Sequence, residues 1–205
     1  MRYSENRKDE THAKLVKIAG KALRENGPDG VAVADVMKEA GLTHGGFYAH
    51  FKSKNALLVE ALESVFASSK RKFLRAVEGL PPRHALATYI DFYVSPRHRD
   101  DRANGCPITA LNSDLPRQSK AVRAAFDGGV KSLVEGLEQR IRESDIAGDA
   151  HALAASVISA MAGAVAISRA VTDPVLSDQM LATARESIKA RLGVSDADLS
   201  RSTLQ

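Results

Sequence analysis

The stretch VADVMKEAGLTHGGFYAHFKSK, residues 33–54, decides the fold. Val33, Val36, Met37 and Ala40 recur at helical spacing, so 33–40 reads as a short helix with one apolar face. Gly41 follows directly, where a helix end needs the left-handed conformation that glycine adopts without steric penalty. Thr43 stands where a capping residue belongs, ahead of a third helix of about two turns that ends near Phe51. Gly45 and Gly46 are out of place there, since each glycine inside a helix costs roughly 1 kcal/mol relative to alanine. Phe47 and Phe51, four apart, share a face and point to a core, which leaves Tyr48 and His50 outward. Ser53 then caps a long fourth helix with Leu57, Leu58, Ala61, Leu62, Val65 and Phe66 as its stripe.

The pattern continues on both sides. Upstream, Leu15, Ile18, Ala19, Ala22 and Leu23 mark a helix over 11–26, stopped by Gly27-Pro28. Downstream, the fourth helix runs over 54–78 to GLPPR, and Pro81-Pro82 starts another that ends near Val94. SPRHRDDRANG, 95–105, reads as a charged loop. Further helices are expected over 106–114, 117–143, 149–171 and 175–192, with Asp149 and Asp173-Pro174 as start signals. No stretch alternates as a half-buried strand does. The fold class is therefore all-α, with a polar tail over 194–205.

Composition narrows the function classes. The chain has 205 residues, 44% of them hydrophobic, and a formal charge of +4. That is enough apolar material for a core, with a mildly basic balance compatible with nucleic acid. Residues 1–56 hold ten Lys/Arg and seven Asp/Glu, so +3 of the charge lies there. A lone cysteine, Cys106, excludes an intrachain disulfide and any CxxC metal site. The polar N-terminus is not a signal peptide, and 152–168 is too short and too rich in Ala and Ser for a membrane span. A cytoplasmic protein with no membrane partner is expected. There is no Gly-rich phosphate loop, HExxH or GxSxG, and the six histidines are scattered. No enzyme activity, cofactor or metal is expected; His98 with Asp100 and Asp101 reads as solvated charge.

Two short helices joined by AGLT and braced by longer ones form a helix-turn-helix, whose second helix enters the DNA major groove N-terminus first. Thr43, His44, Gly45 and Gly46 are the residues at that end. Without side chains, the two glycines let backbone approach bases and phosphates closely. His44 is the candidate for reading a base edge. Tyr48, His50, Lys52 and Lys54 are candidates for phosphate oxygens.

Residues 27–62 resemble the DNA-binding domain of TetR-family transcriptional regulators. The resemblance rests on Ala40-Gly41-Leu42, Phe47-Tyr48, His50-Phe51, Ser53-Lys54 and Leu57-Leu58 in register. It implies an all-helical homodimer with a three-helix DNA-binding domain, residues 1–53, and a ligand-binding and dimerisation domain, residues 54–193. It implies base contacts at Thr43, His44 and Gly45 and phosphate contacts at Tyr48, His50 and Lys54. One departure is Ala32, where the family usually has a capping Thr or Ser; Asp35 compensates in part through the helix dipole.

The implied protein is a repressor of a partly palindromic operator, released by a small-molecule effector; an activator is the alternative. Segment 149–171 carries a small-residue face of Ala155, Ser159, Ala162, Gly163 and Ala166, suited to close approach of a second subunit. With 175–192 it would make a four-helix interface; burial within one subunit is the other reading. Phe66, Tyr89, Phe92, Tyr93, Cys106, Phe126 and Met161 are candidate lining of an effector pocket. Cys106, after a basic loop, is also a candidate electrophile or redox sensor.

Overall fold

Every regular element among residues 2–194, the residues that the computed structural model describes, is helical; side chains are described from residue 7. In chain order these are α1 (Arg2–Asn26), α2 (Val33–Ala40), a 3-10 segment (His44–Ala49), α3 (Lys54–Ala76), α4 (Pro82–Tyr93), α5 (Pro96–Asp100), a 3-10 turn (Arg102–Asn104), α6 (Pro107–Leu111), a second turn (Leu115–Arg117), α7 (Lys120–Glu143), α8 (Ala150–Ala170) and α9 (Pro174–Leu192). Two compact units divide the chain. One takes in residues up to 69 with 106–129, the other 70–105 with 130 onward.

In the first unit Leu15 and Leu23 of α1, Met37 of α2 and Leu57, Leu58 and Leu62 of α3 are fully buried. They are the positions whose helical spacing predicts a shared core. In the second unit Leu86 and Ile90 of α4, Leu137 and Ile141 of α7 and Met161 of α8 play that part. There α8 and α9 form the most extensive helix pair, each opened by an aspartate cap: Asp149 accepts from His151 and Ala152, Asp173 from Val175 and Leu176. Lys189 of α9, nearly buried, closes an ion pair with Asp91 of α4 at 2.6 Å. By length and composition α8 is the one helix among the described residues able to cross a bilayer. Its buried face, Ala154, Val157, Ile158, Met161 and Val165, is that of a core helix.

Four expectations need correction. α1 begins at Arg2 rather than near residue 11, because its first turns carry no apolar stripe and periodicity does not register them. The segment after Thr43 is 3-10 rather than α, and the Thr43 side chain makes no cap bond; six residues with two glycines favour the tighter turn. The 95–105 stretch is not a loop. Ser95 accepts from the His98 N–H to cap α5, Asp101 accepts from Asn104 to cap the next turn, and His98 is buried. Ser-Pro is a cap followed by a first-turn proline, a signal that the charge density hides. Finally, 106–114 shortens to α6, and α7 starts at Lys120, after Ser119 accepts from the Val122 N–H. Of the expected tail, Val194 is buried, its N–H bonded to the Lys189 carbonyl; residues 195–205 lie outside the described residues.

Candidate nucleic-acid interface

The interface is built from α1, α2 and the start of α3. Gly41 ends α2 at φ 78°, its N–H reaching the Lys38 carbonyl at 3.0 Å, while the Leu42 N–H reaches Met37 at 2.9 Å. These bonds satisfy carbonyls that the helix end would leave open. Lys14 of α1 adds a third, its Nζ 2.9 Å from the Ala40 oxygen. The entry to α2 has no such help: Ala32 sits in the extended conformation of a capping residue but makes no side-chain bond. Ala32→Ser supplies the missing acceptor. It is expected to stabilise the fold by about 1 kcal/mol and raise the thermal midpoint by about 3 °C. Calorimetry that shows no rise would contradict the cap assignment.

The 3-10 segment is held from behind. Phe47 and Phe51 are buried, their rings stacked 5.6 Å apart, and Phe51 stacks at 4.4 Å on His12 of α1. His12 in turn meets Glu60 of α3. Anchoring one face presents the other: Thr43, His44, Gly45, Tyr48 and Lys52 are exposed, with Tyr48 at 72%, while Gly46, His50 and Lys54 are half-buried.

The glycines differ in their surroundings. A Cβ placed on Gly45 meets no atom within 4 Å, and its backbone is not left-handed. A Cβ on Gly46 meets Met37 Cε at 3.4 Å and Thr43 Oγ1 at 3.9 Å. The fold therefore gives no reason for glycine at 45, although an alanine there would favour helix. His50 projects less freely than spacing predicts. Its Nδ1 is enclosed and makes no hydrogen bond among the described residues. Its pKa lies below the ordinary imidazole value, from desolvation first and then from His12 and Lys8, so near neutral pH it offers a hydrogen bond rather than a charge. Lys54 opens α3 and donates to the Asp29 carbonyl at 3.3 Å. No acidic residue stands in the first turn of α3. A cation at a helix N-terminus opposes the dipole, an arrangement that an external phosphate reverses.

The candidate effector residues fall in two groups. In the first unit Phe66 and Phe126 meet edge to face at 5.5 Å, and Cys106 is buried at the start of α6. In the second, Tyr89 meets Tyr93 at 5.8 Å, Met161 is fully buried, and Phe92 is 43% exposed beside His98. Spacing gave no hint of His98, enclosed among basic neighbours, nor of how Gly129 touches Phe66.

Residues 15–61 match the family model of bacterial regulatory proteins of the tetR family. Residues 82–185, just over half of the chain, match the C-terminal domain of LmrA/YxaF-like transcriptional regulators. The chain belongs to the TetR family, a class of DNA-binding transcription regulators rather than enzymes. The uncharacterized HTH-type transcriptional regulator YerO of Bacillus subtilis is 31% identical over 85 residues, 40% of this chain but only 29% of YerO. The HTH-type transcriptional repressor DhaR of Mycobacterium sp. (strain GP1) is 29% identical over 161 residues, 74% of this chain and 78% of DhaR. The crystal structure of reduced Escherichia coli NemR superposes with a TM-score of 0.77 at 19% identity, over 88% of this chain and 96% of NemR. At that identity the likeness is one of fold.

Proposed function

We propose that the chain is a cytoplasmic repressor that binds a partly palindromic duplex operator as a homodimer and is released by a small-molecule effector. The observation that carries the DNA contact is Gly45: exposed, free of backbone strain and with open space where a side chain would stand. A residue that costs helix stability and serves nothing inside the chain is explained by an external surface that must come close. Thr43, His44, Gly45 and Gly46 then face base edges. Tyr48, Lys52 and Lys54 hold phosphates, and His50 donates from the side.

Dimerisation is supported by the outer face of α8 and α9. Gly163 has nothing within 4 Å of a Cβ position. Ala155 and Ser159 lie on the same stripe, whereas Ala162 turns inward. Ile167, Val175 and Leu176 are 51%, 63% and 46% exposed, a cost in water that a second subunit removes. Two recognition segments spaced by roughly 34–36 Å would meet successive turns of one groove. An effector acts by binding the DNA-free state more tightly, and the aromatic residues of the C-terminal region are its candidate contacts. Enclosure of Cys106 favours a pocket wall over a reactive thiol.

Phosphate and base contacts separate by salt. Tyr48→Ala and Lys54→Ala are expected to weaken binding across all sequences, Lys54→Ala with a shallower salt slope by about one unit. His44→Ala is expected instead to relax preference at one position, by about 1–3 kcal/mol. Fluorescence anisotropy over a salt series reads both; wild-type behaviour in all three variants would remove the site assignment.

A further inference from the structure

In the second unit, the end of α3, the end of α4 and α5 enclose a cleft of about 320 Å³. Lys72, Arg75 and Arg97 contribute three positive charges to its wall, against the single acid Asp101. Asp101 is already engaged, accepting from the backbone N–H and side-chain amide of Asn104 at 3.3 and 3.0 Å. Lys72 donates to the Asn104 carbonyl at 3.0 Å. The side chains of Arg75 and Arg97 are exposed, and their guanidinium groups make no hydrogen bond or ion pair among the described residues.

A basic end to α3 is by itself ordinary, because cations suit a helix C-terminus. Two features go further. Lys72 and Arg75, three apart on one helix, repel each other, and α5 brings a third cation, Arg97, to the same cleft. Beside these charges lies an apolar wall. Phe92 is 43% exposed, with the buried His98 ring nearly parallel to it at 6.2 Å. His98 is fixed by its Nδ1, 2.6 Å from the Tyr93 carbonyl oxygen, and its burial holds the imidazole below its ordinary pKa, so that it stands as a neutral ring. Unpaired guanidinium groups next to an exposed aromatic face complement a ligand with an anionic head and an apolar body.

We propose that this cleft binds a small organic anion, its carboxylate or sulfonate held by Arg75 and Arg97 and its apolar body lying on Phe92. As the effector of the repressor, that ligand rests on the function proposed above; as a bound anion it does not. The test uses the full chain without DNA. The chain has no tryptophan, so the fluorescence of anilinonaphthalene sulfonate reports binding without interference. Wild-type protein is expected to bind the probe, to release it to octanoate, and to retain it against octanol and inorganic phosphate. Arg75→Gln with Arg97→Gln should weaken probe binding by about tenfold or more. Lys120→Gln with Arg123→Gln, which removes the same charge elsewhere, should leave it unchanged. Both arginines are exposed, so the double variant should keep the wild-type thermal midpoint. Equal affinity in the two double variants, or displacement by octanol or phosphate as effective as by octanoate, would overturn the proposal. Operator release is read separately: octanoate bound in the cleft without release leaves the anion site standing and counts against effector control.

Discussion

Gly45→Leu is expected to leave the thermal midpoint unchanged or slightly raised and to reduce operator affinity by about a hundredfold. The first half follows from the open surroundings: no atom lies within 4 Å of the Cβ position, and the backbone is not left-handed. Leucine is also the better helix former by up to 1 kcal/mol. The second half follows from proximity. A side chain between the segment and the groove floor holds off Thr43, His44 and Gly46 together, and losing two base contacts of 1–3 kcal/mol gives that factor. Ordinary proteins lose stability and binding in parallel when a residue is misplaced; here the two measurements should part. If Gly45→Leu unfolds the protein, the glycine serves the chain; if it binds DNA normally, it serves nothing at the groove.

Gly129→Ala is expected to do the opposite, lowering stability by about 2 kcal/mol and the thermal midpoint by about 4–8 °C. A Cβ on Gly129 of α7 would stand 2.2, 2.3 and 2.5 Å from three atoms of the Phe66 ring, including the ring carbon nearest the backbone. That ring is buried and braced by Phe126 at 5.5 Å, so it has no room to retreat. Neighbouring Gly128 provides the control. A Cβ there meets nothing within 4 Å, and Gly128→Ala should stabilise α7 by up to about 1 kcal/mol. Opposite signs at adjacent glycines, read by chemical denaturation, isolate the contact from helix propensity. Phe66→Leu in the Gly129→Ala background should recover part of the loss, because the two sites share one space. Equal effects at 128 and 129 would contradict the close approach.

These two glycines mark how far the sequence could be read. Position 45 was legible because it breaks a local rule inside a short, well-bounded helix signal. Position 129 was not, because its reason lies on α3, 63 residues earlier, and one sequence carries no trace of such a pairing. The same division runs through the fold. Leu15, Met37, Phe47, Leu57 and Leu62 announce their core by spacing, and Gly41, Asp149 and Asp173 announce helix ends by chemistry. The first turns of α1, helical without an apolar stripe, carry no apolar period by which to be read. α5 was hidden by its charges: Arg97 and Asp100 describe its outer surface, Arg99 reaches Ser177 and Asp178 of α9, and Ser95-Pro96 and His98 make the turn. For His50, spacing gives a direction but not the reach of His12 and α1 over the ring.

The segment around Gly45 is expected to enter duplex grooves twice per dimer, and selection from a random duplex library is the sharpest test of that. The purified 205-residue chain at low ionic strength is predicted to enrich one motif made of two related, inverted half-sites with centres one helical turn, roughly 34–36 Å, apart, with affinity falling steeply as salt is added. A pool that stays random after repeated rounds, or one that converges on a single unrepeated half-site, would contradict the account.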